Sequence, residues 1–176
     1  MKQADYEQMT IGRQLEDRAR TIAEKIYLLH NDQRITYREM NENVNRVANS
    51  LIAMGVKKGD KVCVIMTNSV EFLYAWFALS KIGAIEVPIN HALKGNLLRY
   101  IIENSEASIV VVDAELADRV LLLQDELKKI GTIVVLHDKA PRKPISSSRF
   151  AITDFEALYR GSPVNPASNV NFWDPR

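Results

Sequence analysis

Cysteine is nearly absent: Cys63 is the one thiol in 176 residues. No internal disulfide can staple the chain, which reads as belonging to a reducing compartment, the cytoplasm. Charge of one sign is equally scarce. Lys plus Arg number 23 against 22 Asp plus Glu, a formal +1, so no broad field draws in nucleic acid and any anion site has to be local. Long apolar runs are missing as well. The strongest, Val70 to Ile82, contains Glu71 and Lys81, and as a helix it spans only about 20 Å against roughly 30 Å of bilayer hydrocarbon. It reads as protein core, with no transmembrane segment expected. The opening MKQADYEQMT is too polar for a signal peptide.

Glycine is sparse and badly spaced for holding phosphate. The seven are Gly12, Gly55, Gly59, Gly83, Gly95, Gly131 and Gly161, and their spacing excludes both GxGxxG and GxxxxGK[ST]. Gly55 and Gly59 form a GxxxG, but in a charged turn, where the helix-dimer reading fails. His30, His91 and His137 are scattered, so no metal set is expected. Cys63 lies in an apolar run and reads as an inert core thiol. Asp113 with Glu115, and Asp125 with Glu126, read as caps and solvated charges rather than an acid–base pair. Lys139, Arg142, Lys143 and Arg149 read as a solvated loop, and Phe72, Trp76 and Phe77 as core. No catalytic residue is assigned.

What is present is a regular alternation of elements. Tyr37, Met40, Val44, Val47, Ala48, Leu51 and Ile52 recur at helical spacing between Thr36 and Gly55, with Thr36 and Glu39 as a capping box and Gly55 as the stop. A helix is expected from Ile11 to Lys25, then a hairpin of Lys25–His30 and Arg34–Thr36 around Asn31-Asp32-Gln33. The apolar Lys61–Met66 fits a strand buried on both faces. Asn68 and Glu71 are expected to cap the next helix, which Gly83 closes; its scarcity of polar residues requires neighbours nearly all round. Ala84–Val87, Ser108–Val112 and Thr132–Leu136 read as further strands. Leu97–Ser105 reads as a helix, and Glu115–Ile130 as one long or two short ones. His137–Arg149 reads as a loop, and Thr153 with Glu156 caps a last helix to Tyr159. Four apolar strands separated by helices imply an α/β fold, a mainly parallel sheet with flanking helices. Residues 1–160 form this subdomain and 161–176, rich in Pro, Ser and Asn, read as a linker. Asn90-His91-Ala92-Leu93-Lys94 and Arg119 follow strand ends, where α/β sheets place ligand crevices.

Several fragments together resemble one family. Ile35-Thr36-Tyr37-Arg38-Glu39-Met40, Gly55-Val56-Lys57-Lys58-Gly59-Asp60-Lys61-Val62 and Asn68-Ser69-Val70-Glu71-Phe72 resemble the opening of acyl-adenylate-forming, AMP-binding enzymes. Lys81-Ile82-Gly83-Ala84-Ile85-Glu86-Val87-Pro88-Ile89-Asn90 and Leu93-Lys94-Gly95 with Leu98-Arg99-Tyr100-Ile101 look most like the fatty and aromatic acid:CoA ligases. The order is kept from about Thr10 to Asp174-Pro175.

The resemblance implies the N-terminal subdomain of an acyl-CoA synthetase. In such enzymes ATP and a carboxylic acid give an acyl-adenylate and pyrophosphate, and coenzyme A then displaces AMP to form a thioester. The family's phosphate loop, its magnesium and adenine motifs and its small C-terminal domain lie beyond these residues. The implication is therefore that ATP, Mg2+ and coenzyme A belong to the full-length enzyme, that the 176 residues alone bind none of them and do not adenylate, and that apolar surface drives self-association. Asn90, His91, Ala92 and the neighbourhood of Arg119 are implied to lie where coenzyme A approaches. The competing readings are a free-standing α/β binding or regulatory module, a peptide-synthetase adenylation domain and a luciferase-like enzyme.

Overall fold

The computed structural model describes residues 9–137 and 144–175. The chain divides into two compact units, Met1–Gly59 with Ser69–Ile85 and Leu158–Arg176, and Asp60–Asn68 with Glu86–Ala157.

The first unit is helical with one hairpin. Thr10 caps α1 (Ile11–Thr21), its hydroxyl accepting from Arg13 N. The helix stops before the expected Lys25, because that residue already belongs to the base of the hairpin: its carbonyl accepts from Tyr37 N at 3.0 Å. The antiparallel strands β1 (Ile26–His30) and β2 (Gln33–Thr36) turn through Asn31 at φ 50, a conformation asparagine tolerates well. The Thr36–Glu39 capping box forms and starts α2 (Tyr37–Ala53). Met40, Val44, Val47, Ala48 and Leu51 of α2 are buried, and α2 packs on both α1 and α3 (Val70–Ile82). Ser69, not Asn68, caps α3: its hydroxyl accepts from Phe72 N at 3.0 Å. Gly83 ends that helix in the left-handed region at φ 73, where a side chain would be strained. The expected all-round cover of α3 is incomplete. Phe72, Leu73 and Phe77 are half-buried and Trp76 is exposed.

The second unit carries the sheet, in strand order β4-β3-β5-β6-β7. Here β3 is Lys61–Ile65, β4 Ile85–Pro88, β5 Ile109–Asp113, β6 Thr132–Leu136 and β7 Ala151–Asp154. The pairs β3–β5, β5–β6 and β6–β7 are parallel, in registers such as Cys63↔Val110 and Val111↔Val134. Side chains alternate across the sheet. One face sends Cys63, Ile65, Val110, Val112, Ile133 and Val135 into a core closed by Leu98 and Ile102 of α4 (Gly95–Ser105) and by Leu116, Ala117 and Val120 of α5 (Ala114–Leu121). Val62, Val64, Val111 and Val134 on the other face are buried too. The apolar strands are therefore covered on both sides, as their composition predicts.

Two expectations fail here. Thr153 does not cap a helix; it pairs with Val134 in the ladder of β7, a fifth strand, and a 3₁₀ helix follows at Phe155–Arg160. An edge strand needs one hydrogen-bonded neighbour and little apolar sequence, so β7 carries no strong pattern. After α5, Leu123 N, Gln124 N and Glu126 N bond three residues back, a tighter winding that ends the α-helix instead of continuing it towards Ile130.

Candidate functional site

Parallel strands aim their carboxyl ends at one edge of the sheet, and in open α/β folds ligands collect there. At this edge, within the second unit, the loop after β4 turns tightly. Asn90 Oδ1 accepts from Ala92 N at 2.8 Å, and Leu93 N donates to Asn90 O at 3.0 Å. Asn90, His91 and Ala92 are all exposed. Arg119, in α5, reaches this loop: Nη1 donates to the His91 carbonyl and, at 3.3 Å, to that of Leu93. The structure thus brings together all of the residues that sequence reasoning placed at a site, although Arg119 holds the loop's main chain rather than pointing a free charge outward.

Two further features of this edge differ from or go beyond the sequence reading. Asp113, expected as a cap or solvated charge, is instead buried at the end of β5 and makes no side-chain cap; its Oδ2 accepts from Thr67 N at 2.7 Å and Thr67 Oγ1 at 2.8 Å. This ties the chain leaving β3 to the end of β5. His137, just past β6, sets Nε2 3.2 Å from Asp154 Oδ1 at the end of β7. Local sequence does not reveal such partners, because Thr67 and Asp154 reach Asp113 and His137 only through strand packing.

The remaining chemistry is limited. Cys63 is fully buried, its thiol pushed up to about 11 by desolvation while Ser105 lies 3.2 Å away, which leaves no thiolate to attack a substrate at neutral pH. Among the described residues no group of three or more His, Cys, Asp or Glu could hold a metal. This edge presents an exposed loop braced from within and by Arg119. Lys139, Arg142 and Lys143 lie outside the described residues. Arg149 is spent on the Leu127 and Lys128 carbonyls, at 3.1 and 3.3 Å.

The first unit holds a polar cluster that sequence reasoning also missed. Lys81 is almost fully buried, with Nζ 2.8 Å from Asn41 Oδ1, 2.5 Å from Asn45 Oδ1, 3.0 Å from Asn165 Oδ1 and 2.9 Å from Glu16 Oε1. Burial lowers the lysine's pKa, opposed by the hydrogen bond and charge of Glu16. The i, i+4 spacing of Asn41, Asn45 and Asn49 was visible in the sequence, but such a row on a helix ordinarily marks a solvated face.

Comparison with known proteins agrees with this architecture. The chain resembles crotonobetaine/carnitine–CoA ligase of Citrobacter koseri, 39% identical over 111 residues, which are 62% of this chain and 21% of that protein. The same-named ligase of Salmonella typhimurium is 42% identical over 83 residues, 47% of this chain and 16% of that protein. The chain thus spans about a fifth of the length of the curated relatives it matches. In structure it resembles the anthranilate CoA ligase AuaEII, solved with anthranoyl-AMP, at a TM-score of 0.83 and 25% identity over 99% of this chain and 32% of that one. It also resembles the N-terminal domain of FACL13 from Mycobacterium tuberculosis, at a TM-score of 0.72 and 27% identity over 92% of this chain and 38% of that one. The profile of the family described as AMP-binding enzyme matches residues 15–170, and with its parallel sheet and flanking helices the chain belongs to that family.

Proposed function

We propose that these residues form the N-terminal subdomain of an AMP-forming acid:CoA ligase. The whole enzyme would join ATP and a carboxylic acid into an acyl-adenylate, release pyrophosphate, and pass the acyl group to the thiol of coenzyme A with loss of AMP. Family membership and CoA-ligase relatives support this reading. The observation that carries the site is the Asn90–Leu93 loop braced by Arg119 at the carboxyl edge of the sheet. In the whole enzyme that loop walls the approach of coenzyme A, with Asn90, His91 and Ala92 presented to it and Arg119 holding their main chain.

ATP phosphates and Mg2+ would be held by polypeptide following residues 161–176, which serve as the link to a glycine-rich phosphate loop. The glycine spacing within this chain supports that division, because backbone N–H groups can close on phosphate only where Cβ atoms are absent. The setting is cytoplasmic. No helix among the described residues is long and apolar enough to cross a membrane, and the single cysteine is free and buried. Self-association of the 176 residues would use apolar surface of the first unit, where exposed Trp76 adjoins Phe77 and a groove of about 300 Å³ is lined by Ile11, Leu15, Tyr27, Tyr37 and Phe77.

Acid-dependent exchange of pyrophosphate into ATP tests the reading. The full-length protein should catalyse it and the 176 residues alone should not. Exchange by the short chain, or none by the full-length protein with any of a panel of fatty and aromatic acids, would overturn it.

A further inference from the structure

The polar face of α2 grips the main chain of Leu158–Val164. Ser50 Oγ donates to Leu158 O at 2.8 Å, and Arg46 Nη1 lies 3.3 Å from the carbonyls of both Tyr159 and Gly161. Asn49 Nδ2 donates to Ser162 O at 2.8 Å and Val164 O at 2.9 Å, and Asn45 Nδ2 to Pro163 O at 2.7 Å. Every one of these acceptors is a main-chain carbonyl, so the helix holds the backbone of the segment directly.

Contact is close enough to require glycine at one point. A Cβ on Gly161 would stand 2.1 Å from the Arg46 carbonyl oxygen. At the end of the segment, the Asn165 side chain joins the buried cluster, its Oδ1 accepting from Lys81, from Asn45 at 2.8 Å and from Asn41 at 3.2 Å.

Lys81 orients the grip. An ammonium only donates, so the oxygen of each asparagine amide it touches must face it. With Asn45 Oδ1 committed to Lys81, the NH₂ of the same amide is left pointing at Pro163 O and Asn165 Oδ1. Gly12 makes room for the lysine: a Cβ there would meet Lys81 Cγ at 2.6 Å.

We propose that Lys81, Asn45 and Asn49 are positioning residues: they fix the trace of Leu158–Asn165, and through it the placement of the nucleotide-phosphate loop that follows in the whole enzyme. This rests on the ligase reading above. The residues touch no substrate; they act by setting where the next stretch of polypeptide leaves α2.

The test uses the full-length protein with Asn49→Ala and Asn49→Asp, since Asn49 is only half-buried and its removal leaves the core intact. Alanine removes the donor, whereas aspartate turns an acceptor towards two carbonyls and should do more harm. Expected is a KM for ATP in acid-dependent pyrophosphate exchange raised about five-fold by alanine and further by aspartate, the scale of one lost hydrogen-bonding group. The KM for the carboxylic acid should stay within two-fold, and amide hydrogen exchange should accelerate over Leu158–Val164. A KM for ATP that stays unchanged while those amides exchange faster overturns the inference and leaves the ligase reading standing. A parallel fall of every kinetic parameter with the folded fraction shows a merely structural role and overturns it as well. A wild-type protein without exchange activity overturns the ligase reading itself, and the inference with it.

Discussion

The guanidinium of Arg119 donates to the main-chain carbonyl of His91, twenty-eight residues away in sequence, and to that of Leu93. A cation expected in the neighbourhood of coenzyme A is thus engaged with backbone oxygens. Arg119→Ala should release the loop at a cost of about 1.5–3 kcal/mol, the range for hydrogen bonds to a charged group. Chemical denaturation measures the loss, and amide exchange at Ala92 and Leu93 locates it. In the full-length protein the same variant should raise the KM for coenzyme A, with Arg119→Lys intermediate because a lysine lacks the planar fork. An unchanged KM for coenzyme A would remove the loop from the proposed site.

Glu86 on β4 has a buried Oε1 with no hydrogen-bond partner among the described residues, and desolvation pushes its carboxyl from the ordinary 4.5 up to about 7. An acid whose folded pKa is raised binds its proton more tightly when folded. Its contribution to stability is therefore full below about pH 4.5 and declines as pH rises towards 7, with no further change above. Glu86→Gln should raise the melting temperature at pH 8 and leave it unaltered at pH 4.5. Equal effects at both pH values would show that charge is not the cause.

Removing the Lys81 ammonium would strand the Asn41 and Asn45 side-chain oxygens and take one donor from Glu16 and from Asn165, which still accepts from Asn41 and Asn45. Lys81→Met should cost about 1–3 kcal/mol, the penalty for leaving buried acceptors unsatisfied. Glu16→Gln should cost far less, because an amide oxygen still accepts from the lysine. Urea titration of the two variants discriminates; similar losses would mean that charge pairing rather than hydrogen-bond satisfaction sustains the cluster.

Gly161 and Gly131 make a matched pair. An added Cβ at Gly161 collides with the Arg46 carbonyl, whereas at Gly131 nothing among the described residues lies within 4 Å. Gly161→Ala should destabilise the chain and speed amide exchange at Ser162 and Val164. Gly131→Ala should be neutral or stabilise by up to about 1 kcal/mol through the unfolded chain. Thermal denaturation of both variants checks the contrast.

Elements whose information is local were legible in the residues. The capping box of Thr36 and Glu39, the stop at Gly83 and the buried run Val62–Ile65 each depend on groups within a few positions, and each forms. The loop at Asn90 was legible through topology, because parallel strands put their ends on one edge. Strand β7 was not, since Ala151–Asp154 becomes a strand only by pairing with β6. Nor was the Asn41, Asn45, Asn49 row, whose amide groups donate to acceptors more than 110 residues further on.

Apolar periodicity, caps and turn residues in this chain fix an alternating α/β architecture, since each of these signals acts over one or two turns of backbone. Tertiary structure alone decides what the polar side chains do. Lys81 interrupts an apolar helix and looks like a surface charge until four oxygens from distant segments close round it. Arg119 looks like a free cation until the His91 and Leu93 carbonyls claim it. A buried charge or donor takes its meaning from the partners that satisfy it, and those are chosen by the packing of elements far apart in sequence.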